Sequence, residues 1–206
     1  MSDASQLSDQ PLVATAGGGG INRDKLIRYS LFFIVMGLYT VPLLGVVVNP
    51  PSFLANSATG QLTLLVIHEF SGFIFVGHTF FSNIWAMRIR MNADHKTGVM
   101  ARAMLRKMAL GITMPTSIIS PLAGLMLVNG YFGGFEGAPW AWEAYIAFWF
   151  IAALQLVPDI IRYAVDTHAA DPKRDVRQAA YRGWATTVVV IYIIFVMITK
   201  VSIFSG

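Results

Sequence analysis

Long apolar runs, separated by short polar or glycine- and proline-rich segments, fill the sequence after residue 24. Each of five runs is long enough to cross a bilayer, because a membrane-spanning helix needs about 20 mostly apolar residues. The runs cover residues 27–48, 62–87, 108–128, 142–163 and 184–204. The pattern therefore predicts an all-α integral membrane protein with five transmembrane helices in one domain, residues 25–206.

The second run has two unlike sides when it is set on a helix at about 100° per residue. One side carries histidines with small and hydroxyl residues: His68, Ser71, Gly72, Phe75, His78, Thr79 and Ser82, with Asn83 beside them. The other side is aromatic: Phe70, Phe73, Phe80, Phe81 and Trp85. Aromatic rings can face acyl chains, whereas imidazoles and hydroxyls need protein, water or a cofactor. We therefore expect any chemistry to take place on the histidine side.

A matching polar stripe is present on the third run. Its members are small or carry hydroxyl groups: Thr113, Thr116, Ser117, Ser120 and Gly124. Small residues let helices approach closely, and hydroxyls can bond across to a neighbouring helix. The stripe is therefore predicted to pack on the histidine side of the second run, with His78 near Ser117. Pro115 and Pro121 predict a kink in this third helix.

The composition excludes a soluble globular protein. Of the 206 residues, 55% are hydrophobic and 13% charged, and the mean hydropathy is +0.59. The absence of cysteine excludes disulfides and thiolate metal sites. Residues 1–24 are polar and small and predict a disordered tail, and the acidic Asp3 and Asp9 argue against a secretory signal. The expected partner is the lipid bilayer, and no nucleic-acid partner is expected, because basic residues in a membrane protein usually report orientation.

The basic residues are distributed very unevenly over the connections between the runs. Three lie before the first run or in its first turn, six lie between the second and third runs, and five lie at the end of the fourth run or in the connection after it. Lys200 is the fifteenth. Connections rich in lysine and arginine stay in the cytoplasm. The distribution therefore predicts a cytoplasmic N-terminal tail and an external C-terminus.

The two histidines of the second run are candidate cofactor ligands, because ionisable groups inside a membrane are usually functional. His68 and His78 are roughly 15 Å apart along one helix, too far to bind a single iron together. A haem on either would need an open position or a second ligand such as Met126 or Lys200. The alternative is structural, with each imidazole simply bonded to a hydroxyl of a facing helix.

Three charged residues are expected at a similar depth near the external surface. Glu69 follows His68, Glu143 begins the fourth run, and Lys200 ends the fifth. These charges can form a cluster beside His68, or Glu143 and Lys200 can extend to the interface.

A resemblance to a known family is carried by the stretch IHEFSGFIFVGHTFFSNIW, residues 67–85. It resembles the first core helix of the bacterial CopD and HemJ-like membrane proteins, and more closely that of related integral membrane proteins of unknown function. In these a histidine is followed nine or ten residues later by glycine, then by Pro-x-x-Gly-Leu on the next helix and a tryptophan opening the one after. The matching positions, within residues 61–163, are His68, Gly77, Pro121, Gly124, Leu125 and Trp140 or Trp142.

The resemblance implies a four-helix core with the first helix added in front, in a bacterial cytoplasmic (inner) membrane. In HemJ-type proteins, which oxidise protoporphyrinogen, the histidine corresponding to His68 ligates a b-type haem. A lysine at the start of the tryptophan-led helix also matters in them. This chain has Glu143 and Tyr145 there, so the resemblance does not extend to that activity.

Three functions follow from these residues. The first is a small redox protein with one haem b on His68, passing electrons between a quinone, or another membrane donor, and a partner protein. The second is a cofactor-free accessory or assembly subunit whose polar side docks on a larger membrane complex or on a second copy. The third and weaker one is copper handling, by analogy with CopD.

The topology is directly testable. Reporter fusions at Asn92 and Asp175 should read as cytoplasmic, whereas fusions at Ala55 and after Gly206 should read as external, because the basic connections remain inside. A cytoplasmic reading after Gly206 would show that the number of spans is wrong.

Overall fold

A computed structural model describes residues 23–92, 94–165 and 172–203, and all regular structure within these ranges is helical. The predicted tail, residues 1–24, falls outside them except for its last two residues, which begin the first helix. The helices are α1 (Arg23–Thr40, continued by a 3-10 turn, Val41–Leu44), α2 (Ala58–Asn92), α3 (His95–Met108, followed by a π-helical turn, Ala109–Thr113), α4 (Met114–Tyr131), α5 (Gly134–Gly137), α6 (Pro139–Val165) and α7 (Pro172–Thr199).

Four helical segments are long and apolar enough to cross a membrane, and a shorter apolar helix covers Tyr29–Leu44. The four segments are Ala58–Ile89, Ala109–Tyr131, Pro139–Pro158 and Tyr181–Thr199. Large apolar side chains cover the outside of the bundle. Phe70, Phe73 and Phe81 on α2 are each about two-thirds exposed or more. Such a surface fits lipid and not water, so the fold is that of an all-helical membrane protein.

The first helix is shorter than the apolar run predicted. Gly45 adopts a left-handed conformation, with φ of 83°, and its N–H bonds back to Pro42. This conformation favours glycine and closes the helix, so residues 46–48 are not helical. Beyond them, the connection is held to the far end of α4, where the Asn129 amide donates to the Val48 carbonyl at 3.0 Å. Tyr131 donates to the carbonyls of Leu54 and Ser57 in the same connection.

The basic stretch after the second run is helical throughout most of its length. Helix α2 continues into it as far as Asn92, and α3 then leads to the π-helical turn before α4. Proline lacks an N–H, so Pro115 cannot donate to the Gly111 carbonyl one turn earlier. The π-helical turn ends there, with the Met114 N–H donating to Ala109. The irregularity that the structure shows beside Pro115 is this π-helical turn.

Helices α2 and α4 form the most extensive helix pair of the bundle, and α6 with α7, α2 with α7 and α1 with α6 complete it. Close approach depends on glycine at the crossing points. A Cβ at Gly72 would be 3.3 Å from Ser120 Oγ, and one at Gly183 would be 2.5 Å from Asn83 Oδ1. The predicted packing of the third run on the histidine side of the second is therefore observed.

Helix α1 is joined to the bundle by a tyrosine that bonds to a helix carbonyl. Pro121 has no N–H to offer the Ser117 carbonyl four residues earlier. The Tyr39 hydroxyl donates to that carbonyl at 2.7 Å, and the Tyr145 hydroxyl of α6 donates to the Tyr39 carbonyl, also at 2.7 Å. The two bonds link α1, α4 and α6 through one buried residue.

This linkage predicts a non-additive pair of substitutions. Tyr39→Phe should lower the free energy of unfolding in mixed micelles by about 1 kcal/mol, the usual size of one interhelical bond in a membrane. In a Pro121→Ala background the same change should cost much less, because the introduced alanine supplies the missing N–H. The exposed Tyr181, changed to Phe, is the control. Equal costs in both backgrounds would show that Tyr39 does not replace the helical bond.

Candidate functional site

Two cavities lie along the histidine side of α2. The His68 cavity, about 410 Å³, is lined mainly by apolar side chains of α2, α4, α6 and α7, with His68, Glu69 and Lys200 among the lining residues. The His78 cavity, about 480 Å³, also reaches α1 and the π-helical turn. Phe75 and Phe148 line both cavities, with ring centroids 5.9 Å apart. These two rings therefore separate one cavity from the other.

The His68 ring is held between α2 and α4 by the backbone of α4. Its Nδ1 lies 2.7 Å from the Ser120 carbonyl oxygen. The Ser120 hydroxyl in turn donates to the His68 carbonyl at 3.0 Å. A Cβ at Gly124 would be 2.9 Å from His68 Cε1 and 3.0 Å from Nδ1, so only glycine leaves room for the ring there.

The partner of Nδ1 determines the tautomer of His68. A carbonyl oxygen can only accept, so Nδ1 must carry the proton. In the neutral imidazole Nε2 is then the unprotonated nitrogen, with a lone pair available for a metal. A metal-binding histidine commonly has this arrangement, in which the second nitrogen donates to a backbone carbonyl and fixes the ring.

Lys200 lies in the wall of the same cavity. Its Nζ is 5.0 Å from the centroid of the Phe132 ring and 5.6 Å from that of Trp140, a pair of cation–π contacts. The residue follows the end of α7 and has φ of 53°, in the left-handed region. His68, Glu69 and Lys200 therefore line one cavity, and the charged cluster itself stays a prediction.

Glu143 bonds to the segment that follows α7. Its side chain is buried, at 8% exposure. One carboxylate oxygen accepts the Ser202 hydroxyl at 2.7 Å and the Ile203 N–H at 2.9 Å. Glu143 thus anchors the segment that follows Lys200.

His78 contacts the π-helical turn that precedes α4, and its partner is a side chain and not the backbone. Its Nδ1 lies 2.7 Å from Thr113 Oγ1, one turn of helix away from the Ser117 that the sequence suggested. Ser117 instead faces Tyr39 of α1. Near His78, the Ser82 hydroxyl donates to the Thr79 carbonyl of its own helix at 3.1 Å.

The remaining predicted residues divide between the cavities and the helix contacts. Thr79 and Asn83 line the His78 cavity, and Asn83 packs on Gly183 of α7. Ser71 is buried, bonds to carbonyls of its own helix and lines neither cavity. Met126 is half-buried on α4 and also lines neither cavity, so it is not placed beside His68.

Two features of the site were not anticipated from the sequence. Tyr39 reaches the centre of the bundle, and Gln155 of α6 bonds to the Arg182 carbonyl at 3.2 Å and to the Thr186 hydroxyl of α7. The sequence signal for the Tyr39 contact is Pro121, which lies four residues after Ser117 and leaves the Ser117 carbonyl without its helical donor. Within residues 23–92, 94–165 and 172–203, no three His, Asp or Glu side chains lie close enough together to hold a metal ion by themselves.

No protein-family model, curated protein or solved structure matches this chain. The interpretation of the site therefore rests on its own geometry.

The fit of His68 against Gly124 predicts a sharp effect of one methyl group. Gly124→Ala should lower the free energy of unfolding by about 1–3 kcal/mol, because the new Cβ overlaps the imidazole. Adding His68→Ala should remove most of that penalty.

Gly77 provides the matched control, since a Cβ there meets nothing within 4 Å. Gly77→Ala should be neutral or stabilising by up to about 1 kcal/mol, given the higher helix propensity of alanine. If the Gly124→Ala protein were as stable as the Gly77→Ala protein, the close packing of the His68 ring on Gly124 would be contradicted.

Proposed function

We propose that the chain is a small redox protein of the bacterial cytoplasmic membrane that binds one haem b through His68. The observation that carries the proposal is the bond from His68 Nδ1 to the Ser120 carbonyl. That bond fixes the ring and leaves Nε2 as the available ligand atom on the wall of a mostly apolar cavity.

The residues around His68 are compatible with a haem. The cavity volume of about 410 Å³ falls in the range of about 300–1,000 Å³ that is common for cofactor sites. His68 would hold the iron, and Lys200, on the wall of the same cavity, would be the candidate for a second contact with the group. A bound haem would supply one-electron chemistry. The chain contributes the orientation of the imidazole and an apolar surround of aromatic rings.

The proposed family relationship draws support from one contact. His68 and Gly124 are both positions of the CopD and HemJ-like resemblance, and here they touch. We extend the proposal to a four-helix core of α2, α4, α6 and α7, with α1 in front as a fifth span. The uneven basic residues support a cytoplasmic N-terminus and an external C-terminus.

An accessory or assembly subunit without cofactor is the second candidate. It is favoured by the fact that both histidines already bond to the neighbouring helical segment, at Ser120 and Thr113. Such bonds would suffice to keep a polar side chain inside a membrane. Its partner would be a larger membrane complex or a second copy of the chain.

The haem proposal is tested by visible spectra of the purified protein after expression with haem supplied. The wild-type protein should show a Soret band, and His68→Ala should lose it or retain only weakly bound haem. His78→Ala should keep the band with at most a shifted reduction potential, because polarity near a haem tunes that potential.

Loss of the band in His78→Ala alone would move the site to the other cavity. A colourless wild-type protein would favour the accessory subunit. Copper found by metal analysis of that colourless protein after copper loading would instead favour copper handling.

A further inference from the structure

We propose that the His78 cavity binds a lipid-soluble quinone through the side chains of His78, Thr79 and Asn83. The quinone's role as electron donor or acceptor rests on the proposed function, whereas its binding does not depend on haem. The cavity is separate from the one that His68 lines, with the Phe75 and Phe148 rings between them.

The first support is a cluster of polar atoms that the fold leaves unused. His78 Nε2, Thr79 Oγ1 and Asn83 Nδ2 are buried and have no hydrogen-bond partner among the described residues. All three belong to little more than one turn of α2, and all three side chains line the cavity. A buried polar atom without a partner is costly, so such a concentration indicates a missing partner.

Several other polar side chains of the same helix pair bond to protein groups. His68, Ser71 and Ser82 on α2 all bond to protein groups, as do Thr113 and Ser117 on the facing segment. Among the described residues, the buried side-chain atoms of α2 without a hydrogen-bond partner are those of His78, Thr79 and Asn83, which all line the His78 cavity.

The second support is the chemistry of these atoms. The Asn83 amide nitrogen is a donor, and the Thr79 hydroxyl can donate. We assign the Thr113 hydroxyl as donor to His78 Nδ1, which places the imidazole proton on Nε2. The three groups then have hydrogens to donate. Because the atoms are themselves buried, the proposal requires each side chain to turn toward the cavity that it lines. The complementary ligand carries acceptors, such as the carbonyl oxygens of a quinone ring.

The third support is the apolar remainder of the cavity. Aromatic side chains form much of it, including Phe32 of α1 and the Phe75 and Phe148 rings. Flat rings pack well against such surfaces. The volume of about 480 Å³ suits a ring with part of its tail.

The lining of the cavity includes residues that are exposed at the surface of the bundle. Ala109 and Leu110, in the π-helical turn, line the cavity and are themselves exposed on the outside of the bundle. Leu110 is 55% exposed. A ligand dissolved in the bilayer could enter at this turn without crossing water.

The test is titration of the purified full-length protein with decylubiquinone in detergent, followed by calorimetry. His78→Ala and Asn83→Ala should each weaken binding about tenfold, the equivalent of one buried hydrogen bond. Ala109→Phe should abolish binding by filling the entrance. Ser71→Ala, which removes a buried hydroxyl of α2 outside both cavities, should leave the affinity unchanged.

Decylbenzene, with the same tail and no carbonyl oxygens, distinguishes a quinone site from a general acyl-chain site. Much weaker binding of decylbenzene is expected, and equal binding would overturn the inference. It would also be overturned by wild-type protein that does not bind decylubiquinone, or by unchanged affinity in both His78→Ala and Asn83→Ala.

A thermal unfolding curve for each variant shows whether it is folded. If His78→Ala fails to fold, the affinities of Asn83→Ala and Ala109→Phe for decylubiquinone still test the proposal.

The binding of decylubiquinone is measured independently of the Soret band. Colourless protein that binds decylubiquinone removes the haem proposal and supports this one, whereas red protein that does not bind it does the reverse.

Discussion

The structure depends on the need of a polar group between the helices for a hydrogen-bond partner that lipid cannot supply. Lipid offers no hydrogen bonds, so a histidine on a spanning helix determines what must stand opposite it. On the segment facing α2 the partners are a main-chain carbonyl at Ser120 and a hydroxyl at Thr113. Because these two contacts lie far apart along the pair, they fix both the rotation and the register of α2 against α4.

The same requirement explains how the shorter helix α1 is attached. Proline at position 121 removes a donor from α4, and the hydroxyl of Tyr39 takes its place. Tyr39 in turn has its own carbonyl satisfied by Tyr145. The carbonyl that Pro121 leaves without a donor on α4 is thus the specific contact for α1. Such a bond selects one partner, whereas apolar packing is less selective in a medium that is itself apolar.

The part of this fold that followed from the sequence is the part that periodicity describes. The aromatic side of α2 is exposed as expected, and its histidine side faces the stripe on α4. Periodicity treats one helix at a time, however, and does not say which neighbour takes which residue. The sequence predicts that Ser117 of α4 contacts α2, whereas it bonds to Tyr39 of α1. The sequence also offers Met126 as a ligand beside His68, but Met126 lines neither cavity. The early end of the first helix depends on the backbone of Gly45, which an apolar run does not reveal.

The carboxylate of Glu143 has a consequence for the far end of the chain. It accepts hydrogen bonds from Ser202 and Ile203, the residues that follow Lys200 by two and three positions. A lysine at a loose chain end would sample many depths in the interface. Lys200 is held by α7 on one side and by the bonds to Glu143 on the other. Its ammonium group therefore stays over the Phe132 and Trp140 rings. Glu143 therefore helps to set the position of Lys200. A substitution at Glu143 would move the ammonium group that lines the His68 cavity, although Glu143 itself does not line it.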